Sequence, residues 1–568
     1  MSFALSSGVS GLQAHQQMLD VAGNNLANVN TTAFKASRIL FSELLSETLR
    51  KASQPTTSTG GTNPVQMGSG VGVSGISPNM SQGNIVSTGN SLDMALEGVG
   101  YFVLSDGQQY VYTRAGAFAV DQDSYLVDPG NGYRVQRIGS AGEADGFQVA
   151  GDSNMHVPYD VAMAAKATGE VTVSSNLSAD ATSTAQTNVL MSNQAFTTSS
   201  GTAADDSTAI SALSQFTAGT LTSATITVSG YDHDGNALVD AGGLTISVDP
   251  ADATTVDDLI AHINSVLDAG GTAGANGVAT LVNGEICITD AESGYSLSDM
   301  KLEFSNSGTA GLEMPSYFEV ATVGGDEVKN ISITVYDSQG GEHVLSGAFV
   351  RTDTANTWDM VLTSITGDVG ELDFDGRRIS GIEFNASDGS YAGLNSTTGD
   401  TSQFTVTFAH DPANPQTIEI SMGTAGQLDG LTQFAGDSTA VANSQDGYSS
   451  GRLSSVSINQ EGVLIGAFSN GVKKNIGILQ IALFQNTSGL ENIGGSYFIP
   501  SANSGEAVAT QALTGGAGTV HGGSLEKSNA DVATEFVNLI NAQNGFQANA
   551  RTIRVATEIL KELATLIT

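Results

Sequence analysis

Apolar residues recur every seven positions at both ends of the chain. The repeat at the front comprises Leu5, Leu12, Leu19 and Leu26, and the repeat at the back comprises Leu525, Val532, Leu539, Phe546, Ile553, Leu560 and Ile567. Seven-residue spacing is typical of a coiled-coil seam. The pattern predicts two helices, in residues 1–30 and 525–568, that form a terminal α-helical coiled-coil domain. Spacing alone fits two arrangements: an antiparallel hairpin that caps a globular body, or a helix pair that other copies of the chain complete.

Both predicted helices are rich in residues that weaken isolated helices. Uncharged amides are frequent in each, and Gly8, Gly11 and Gly23 lie within the first. Asn competes for backbone hydrogen bonds, and each helical Gly costs up to ~1 kcal/mol relative to Ala. Backbone ordering costs ~1–2 kcal/mol per residue, whereas burying a seam residue contributes ~1.5–3 kcal/mol. We therefore expect these helices to become fully ordered only when neighbouring copies supply further contacts.

Between the two ends, apolar and polar residues alternate with the period of two that is typical of β-strands, and turn residues are frequent. One segment departs from this pattern, because apolar residues between Val256 and Leu267 line one face of a predicted helix, and Thr255 with Asp258 predicts a capping box at its start. The predicted fold class is multidomain, with the terminal helical domain, several all-β sandwich or barrel domains and a small α+β insert.

At 568 residues the chain is too long for one hydrophobic core. We predict five domains: a terminal helical assembly domain (1–30 with 525–568), an extended connector (31–83 with 505–524), an inner β domain (84–145 with 441–504), a middle β domain (146–200 with 326–440) and an outer inserted α+β domain (201–325). The connector is predicted because residues 55–83 are rich in Gly, Ser, Thr and Pro.

The formal net charge of −38 lies almost entirely in the middle of the chain, since residues 1–50 carry three basic and three acidic side chains. An acidic chain without a basic patch is not expected to bind nucleic acid. No apolar run approaches the ~18 residues of a membrane span. The first residues also lack the basic and apolar regions of a cleaved secretory signal peptide.

Motifs that would carry chemistry are weak or missing in the sequence. The seven histidines are too widely spaced for a local zinc pair, and no Gly-Lys dipeptide provides a phosphate-loop lysine. "GVGVSG" at 70–75 matches a dinucleotide-binding pattern but lies in the Gly-rich connector. Asp232 and Asp234 in "YDHDGNALVD" suggest an Asp/Gly turn, because the remaining EF-hand positions do not fit. We expect no catalytic, cofactor-binding or metal site, and no enzymatic activity.

Several ordered blocks resemble the rod and hook axial proteins of the bacterial flagellum. "SGVSGLQAHQQMLDVAGNNLANVNTTAFK" (7–35) is similar to the N-terminal signature of that family, and "EKSNADVATEFVNLINAQNGFQANARTI" (526–553) to its C-terminal one. "GNSLDMALEGVGYFVL" (89–104) with "YTRAGAF" (112–118) resembles a block shared by hook and distal-rod subunits. "ITVYDSQGGEHVL" and the strands after 468 favour the hook proteins within the family.

The resemblance implies a structural subunit whose terminal helices pack as the innermost layer of a helical tube around an export channel. It implies self-association, contact with flagellar rod, hook-cap and hook–filament junction proteins, and export by the flagellar type III apparatus without a cleaved signal peptide. The implied location is the extracellular hook of the flagellar basal body. We add that an amide-rich inner surface would let exported chains slide past, with Asn541 and Asn549 as candidates to line the channel.

Two alternatives remain open from the sequence. The chain also fits a distal-rod or hook–filament junction subunit, or an extracellular binding module carried on assembly helices, with the insert at 201–325 as the binding part. One departure from the family pattern is Ala33, which stands where the family usually has glycine. The turn after the first helix is therefore expected not to use a positive φ.

Overall fold

The computed structural model describes residues 3–139, 146–159, 161–180, 185–249, 251–268, 274–372, 376–395 and 401–567. It divides into two compact units, unit 1 (Met1–Met163 with Gly451–Thr568) and unit 2 (Ala164–Ser450). Over the described residues the chain is mostly β with three α-helices, as the sequence predicts. Each described helix is too short or too polar to cross a lipid bilayer.

The first segment of unit 1 contains helix α1 (Phe3–Ala27) and short strands. These strands are β1 (Ser37–Glu43), β2 (Ser46–Arg50), β3 (Val65–Gly68), β4 (Val71–Pro78), β5 (Ile85–Ser87), β6 (Met94–Glu97), β7 (Tyr101–Ser105), β8 (Tyr110–Thr113), β9 (Ala119–Val120), β10 (Leu126–Val127), β11 (Arg134–Val135) and β12 (Ala162–Met163).

Unit 2 contains most of the longer strands and helix α2 (Val256–Leu267). Its strands are β13 (Glu170–Ser178), β14 (Thr187–Ser192), β15 (Phe216–Thr217), β16 (Thr225–Tyr231), β17 (Leu244–Thr245), β18 (Gly277–Val282), β19 (Glu285–Ser293), β20 (Asp299–Ser305), β21 (Gly311–Leu312), β22 (Phe318–Thr322), β23 (Val328–Tyr336), β24 (Glu342–Arg351), β25 (Thr357–Ile365), β26 (Val369–Glu371), β27 (Arg378–Phe384), β28 (Tyr391–Leu394), β29 (Gln403–Phe408), β30 (Gln416–Ser421), β31 (Leu431–Phe434) and β32 (Val441–Gln445).

The second segment of unit 1 returns through further strands to helix α3 (Val532–Ile567). These strands are β33 (Gly451–Ile458), β34 (Val463–Phe468), β35 (Lys473–Ile478), β36 (Ile481–Leu483), β37 (Glu491–Gly494), β38 (Tyr497–Ile499), β39 (Val508–Thr510), β40 (Thr519–Gly522) and β41 (Ser524–Glu526).

Strands from the first and second segments of unit 1 pair with each other in the same sheets. A nine-stranded sheet runs in the order β37-β38-β8-β7-β11-β10-β9, with β36 and β39 joined at its side. Strand β6 pairs with β40, and β5 pairs with β41. Tyr101, Phe484 and Phe498 pack edge to face in the core of this sheet. The start of α3 is therefore anchored by strands that belong to the first segment.

Residues 37–78 form a long β-hairpin, which corrects the predicted extended connector at 31–83. Strand β1 pairs with β4 and β2 pairs with β3, both antiparallel. The Gly/Ser/Thr/Pro composition suggested a connector because it weakens strand propensity, but the turn at 51–64 lets the flanking strands pair. The predicted partner segment 505–524 also contains strands, β39 and β40, that belong to unit 1 sheets.

The described residues of unit 2 form two large hydrophobic cores and a smaller cluster that includes Ala348 and Val361. A five-stranded sheet (β23-β24-β25-β27-β28) and a six-stranded sheet built around β13 enclose buried side chains that include Trp358 and Phe404. The α+β insert has its own core, in which α2 packs against sheet β18-β19-β14-β22. Strand β14 pairs with β19 and β22, so the insert begins near residue 187 rather than at the predicted 201.

The predicted capping box of α2 is confirmed. The side chain of Thr255 accepts the backbone N–H of Asp258, and the Asp258 carboxylate accepts the backbone N–H of Thr255. Val256, Leu259, Ile263 and Leu267 are buried on the face that the sequence assigned to the core. The Asp/Gly turn is confirmed as well, because the carboxylate of Asp232 accepts the backbone N–H groups of the residues that follow it.

Candidate functional site

The terminal helices α1 and α3 pack against each other along a seam of small residues. Gly8 lies beside Ile553, Gly11 beside Asn549 and His15 over Gly545, so the two helices run antiparallel. A Cβ on Gly8 would lie 2.9 Å from Ile553 Cγ1, and one on Gly11 would lie 2.7 Å from Asn549 Oδ1. Side chains of α3 therefore occupy the space that a larger residue would need at these two positions of α1.

The seam differs from the leucine seam that the heptad spacing predicted. The buried residues of α1 are Gly8, Gly11, Ala14, Ala22 and Asn25. Leu5, Leu12, Leu19 and Leu26 are only half-buried and lie beside this line, as do Leu539 and Phe546 on α3, whereas Ile553 packs over Gly8 within the seam. Small residues occupy the contact because they permit the close approach, and the leucines extend over the flank of the pair. Coiled-coil packing within the pair remains a prediction.

Four residues of the predicted back repeat lie outside the seam, and one of them is Val532, which opens α3 and is 41% exposed. Leu525 belongs to strand β41 rather than to a helix, because α3 begins only at Val532. Asp531 sets this start, since its carboxylate accepts the backbone N–H of Thr534 at 3.0 Å. Leu560 is 44% exposed, so the described part of α1 does not cover it. Ile567 is the last residue of α3, and its side chain lies outside the described residues.

A buried ion cluster lies just before the start of α3. Lys35 Nζ lies 2.7 Å from Glu526 Oε1, and Arg114 Nη1 lies 3.5 Å from Glu526 Oε2. The backbone N–H of Gly83 also donates to Glu526 Oε1 at 2.8 Å, and Lys35 donates to the Ser81 carbonyl at 2.8 Å. All three charged side chains are almost fully buried. Four distant segments of the chain thus meet at one carboxylate.

The electrostatics of this cluster depend on the pairing. Burial lowers the pKa of Lys35 below its usual range, and the neighbouring Glu526 carboxylate opposes that effect. Arg114 also lies over the ring of Tyr101, 5.2 Å from its centroid, and burial raises the pKa of that phenol. Buried cations are costly unless an anion satisfies them. Glu526 is the anion that both cations share.

Two asparagines, the buried Asn25 and the half-buried Asn529, extend this junction with hydrogen bonds. Asn25 on α1 donates to Glu535 Oε1 on α3 at 3.0 Å and to the Ser37 carbonyl at 2.7 Å, and it accepts the Ser37 N–H. Asn529 accepts the backbone N–H of Ala36 and donates to the carbonyl of Asn79, both at 2.8 Å. The polar groups that a helix–strand corner leaves unpaired are satisfied here by side chains.

The turn after α1 uses a positive φ, contrary to the expectation from Ala33. Ala33 has φ +56° and is almost fully buried. Its backbone N–H donates to the Glu526 carbonyl at 2.8 Å. The turn conformation is therefore fixed by its contact with β41, and the alanine adopts it at a cost of about 1–2 kcal/mol.

The outer sides of α3 remain uncovered by the described residues. Val537, Val555 and Ile559 are all more than half exposed. Asn541 is exposed as well, whereas Asn549 is half-buried and lies against Gly11 in the seam. Of the two candidates to line a channel, Asn549 is therefore occupied within the helix pair.

Sequence reasoning missed the ion cluster completely. Lys35 and Glu526 are separated by 491 positions. The periodicity of apolar residues shows only which residues share one face of a single helix or strand. Both residues nevertheless fall within blocks that carried the family resemblance, which was the available signal. Over the described residues, no group of three or more His, Cys, Asp or Glu side chains is arranged to hold a metal ion. The geometry supports a packing and assembly role.

Comparison with protein families gives four matches along the chain. Residues 5–35 match "Flagella basal body rod protein", and residues 521–566 match "Flagellar basal body rod FlgEFG protein C-terminal". Residues 95–176 match "Flagellar hook protein FlgE/F/G D1 domain", and residues 322–448 match "Flagellar basal body protein FlaE D2 domain". The two terminal matches cover most of the helix pair and two members of the ion cluster, Lys35 and Glu526.

Full-length relatives give the same result. The chain is 30% identical to "Flagellar hook protein FlgE" of Borreliella burgdorferi, with 100% of both chains covered. It is also 30% identical to the protein of the same name from Treponema pallidum, again over 100% of both. A crystal structure of Helicobacter pylori flagellar hook protein FlgE2 aligns with 73% of this chain and 93% of that one, at 16% identity and a TM-score of 0.36.

Proposed function

The chain belongs to the flagellar hook protein family, and we propose that it polymerises through its terminal helices into a flexible helical tube, a universal joint between rod and filament. The observation that carries the assembly step is the helix pair itself. Small residues of α1 form the seam of this pair, and apolar side chains stay exposed along the outer sides of α3. Such surfaces mark interaction sites in soluble proteins.

The arrangement of the chain supports a layered tube. Unit 1 contains both terminal helices, and the contiguous unit 2 carries most of the remaining strands. We propose that the helices form the inner layer and that the β domains lie outside it, touching neighbours through polar, wet contacts that slide as the tube bends. A head-to-tail contact that does not close generates such an open filament.

Partners and location follow from the family. The protein is a structural component of the flagellar hook and basal body, and it associates with other flagellar components. We propose that these include rod, hook-cap and hook–filament junction proteins. We further propose that the type III export apparatus delivers the chain without cleavage of a signal peptide, that the protein has no catalytic activity, and that exposed amides of α3 such as Asn541 line the export channel.

A second candidate function rests on the insert. The insert has its own hydrophobic core around α2, so it can carry a binding activity separate from assembly. Deleting residues 187–322 tests this idea. Tubes that form normally but lose adhesion to surfaces would support a binding role, and tubes with unchanged adhesion would contradict it.

Induced polymerisation of the purified chain tests the assembly proposal. We expect tubes in negative stain and increased amide protection at residues 3–27 and 532–565 relative to the dilute monomer. Val9 lies exposed on α1, and Val9→Asp should block tube formation. The matched variant Val239→Asp changes an exposed valine of unit 2 and should polymerise normally. A chain that forms no tubes, or a Val9→Asp variant that forms them as readily as Val239→Asp, would contradict the proposal.

A further inference from the structure

One histidine of unit 2 is held between two hydrogen-bond acceptors. His343 lies near the start of β24 and is 8% exposed. Its Nδ1 lies 2.6 Å from the carbonyl oxygen of Thr366, and its Nε2 lies 3.1 Å from Asp337 Oδ2. A carbonyl oxygen accepts hydrogen bonds and cannot donate them, so Nδ1 carries a proton. The charge of the ring therefore depends on whether Asp337 accepts or donates at Nε2.

Asp337 is an ionised acceptor. Its Oδ1 accepts the backbone N–H groups of Gln339 and Gly341, both at 2.8 Å. Burial raises the pKa of this carboxyl, but hydrogen bonds from His343 and from the two backbone N–H groups outweigh burial and lower that pKa. An ionised carboxylate only accepts hydrogen bonds. Nε2 of His343 therefore carries a proton as well, and the ring is a buried imidazolium paired with a carboxylate.

A second histidine approaches the same carboxylate. Phe408 stacks on His343 with 4.3 Å between the ring centroids, and His410 in turn stacks on Phe408 at 5.8 Å. His410 Nε2 lies 3.7 Å from Asp337 Oδ2, and its side chain is 30% exposed. The neighbouring Glu342 points to the opposite face of β24, because side chains alternate along a strand. Among the described residues, Asp337 and His410 are thus the titratable groups that face His343.

The two ends of unit 2 lie side by side, and we call them the neck (residues 164–170 with 445–450). The backbone N–H of Lys166 donates to the Tyr448 carbonyl at 2.9 Å, and the N–H of Tyr448 donates to the Lys166 carbonyl at 3.0 Å. The chain enters and leaves unit 2 through the neck. The order of these few residues therefore determines how firmly the chain ends of the unit are held.

The turn between β23 and β24 packs on both segments of the neck. A Cβ on Gly340, within this turn, would lie 2.8 Å from Ala165 Cβ and 3.2 Å from Ser449 Cα, so the turn closely contacts both segments. The backbone N–H of Thr168 also donates to the carbonyl oxygen of Tyr336, the last residue of β23, at 2.9 Å. A loss of order in this turn would therefore loosen the neck.

We propose that His343 is a pH switch: its protonated ring holds the turn between β23 and β24 against the neck, and loss of its proton releases the turn. Histidine ordinarily changes its charge between about pH 5 and 8. When Nε2 loses its proton, two acceptors face each other, and Asp337 stays buried without its hydrogen-bonded counter-charge. The paired state exists above the acid range in which Asp337 is protonated and below the range in which His343 is neutral.

The neck is therefore rigid within this window and loosens as the pH rises above it. Every residue of the switch belongs to one chain, so the proposal holds whether or not the chain polymerises. It adds to the proposed function a part of the subunit whose rigidity depends on pH.

Hydrogen exchange of the full-length chain at about pH 6 and about pH 8.5 tests the switch. Measured rates are divided by the intrinsic exchange rate at each pH, and peptides that cover the neck are compared. We expect the corrected rates to be at least about tenfold higher at the upper pH, because a hydrogen bond between two charged groups is lost. The fluorescence of Trp358, buried in the core of unit 2, should be the same at both pH values.

Asp337→Asn distinguishes the switch from a merely structural role. The asparagine amide can accept the same backbone N–H groups through its oxygen and donate through its nitrogen to a neutral His343. The neck should therefore stay protected at both pH values in this variant. His262→Gln is the matched control, because His262 in the insert also pairs with a carboxylate, that of Asp240 at 3.0 Å. This control should keep the pH dependence of the parent chain.

Three outcomes would overturn the proposal. They are equal corrected rates at both pH values in the parent chain, a parent-like pH dependence in Asp337→Asn, and loss of the pH dependence in His262→Gln. If Asp337→Asn fails to fold, as judged by Trp358 fluorescence, His343→Gln takes its place and should exchange at the faster rate at both pH values. A pH dependence that survives in His343→Gln would also overturn the proposal.

Discussion

Removing the charge of Glu526 is expected to release α3 from its anchor. Glu526→Gln preserves the side-chain volume and an oxygen for the Gly83 N–H, but it leaves Lys35 and Arg114 buried without an anion. Removing one member of a buried ion pair costs about 3–5 kcal/mol. Since each ~1.4 kcal/mol is a factor of ten, amide exchange in β41 and in residues 32–36 should accelerate by roughly two to three and a half orders of magnitude.

The assay is hydrogen exchange of the monomer read by mass spectrometry, with two controls. Trp358, the only tryptophan, is fully buried in unit 2, so its fluorescence unfolding midpoint should not change. Asp123→Asn removes an exposed carboxylate 3.9 Å from Arg134 in unit 1. Exposed ion pairs contribute little, at most ~1 kcal/mol, so this variant should exchange at nearly the parent rate.

A second substitution separates the roles within the cluster. Lys35→Met removes a cation whose burial is already unfavourable and leaves Arg114 beside Glu526. We expect a loss of about 1–3 kcal/mol, mainly from the unsatisfied acceptors that Lys35 leaves behind. The reasoning that Glu526 neutralises both cations is refuted if Glu526→Gln exchanges at the parent rate, or if Lys35→Met is the more damaging change.

Three further predictions concern the helix seam, the turn and the insert. Gly545→Ala should lower the thermal midpoint of helix unfolding, because the added methyl group meets the His15 ring. Gly23→Ala should raise stability by up to ~1 kcal/mol, because the space around Gly23 is open. Equal shifts of the thermal midpoint in the two variants would contradict the close seam. Ala33→Gly should relieve the positive φ, worth ~1–2 kcal/mol, and lose one buried methyl, worth ~0.8 kcal/mol, so chemical unfolding of unit 1 should show a small net gain. Burial raises the pKa of Asp240, but hydrogen bonds from backbone N–H groups outweigh burial and lower that pKa to about 2. The ionised Asp240 carboxylate therefore stabilises the fold above pH ~4, and this stabilisation is lost as the pH falls toward 2. Asp240→Asn should therefore remove roughly 2 kcal/mol of this acid-dependent stability, and an acid titration by circular dichroism that is unchanged would contradict the assignment.

Local patterns in the sequence predicted elements whose determinants lie within a few residues. The capping box of Thr255 and Asp258 acts over one helical turn, and the helix it predicted is present. The heptad repeats likewise located α1 and most of α3. They did not identify which face of each helix is buried against the other helix. Leucine spacing shows where apolar side chains lie, but it does not show how closely the two helices approach. Gly8 and Gly11 suggested a weak helix in the sequence, and they form the seam in the structure.

Features that depend on distant segments could not be predicted from the sequence. Leu525 continues the repeat perfectly, yet pairing with Val86 of β5 places it in a strand. The hairpin at 37–78 depends on two strands that find each other across a turn-rich stretch. Ala33 takes a left-handed conformation because Glu526 fixes the turn from the other end of the chain. In each case a tertiary contact overrode the local preference.

The bond between Lys35 and Glu526 also has a consequence for the order of folding. It closes a loop of 491 residues, and the entropy cost of closing a loop grows with its length. Unit 2 is contiguous, so it can fold from its own residues as soon as they are available. Its compaction shortens the path that separates the two segments of unit 1. Unit 1 is thus expected to fold after unit 2, because its sheets need strands from both segments of the chain.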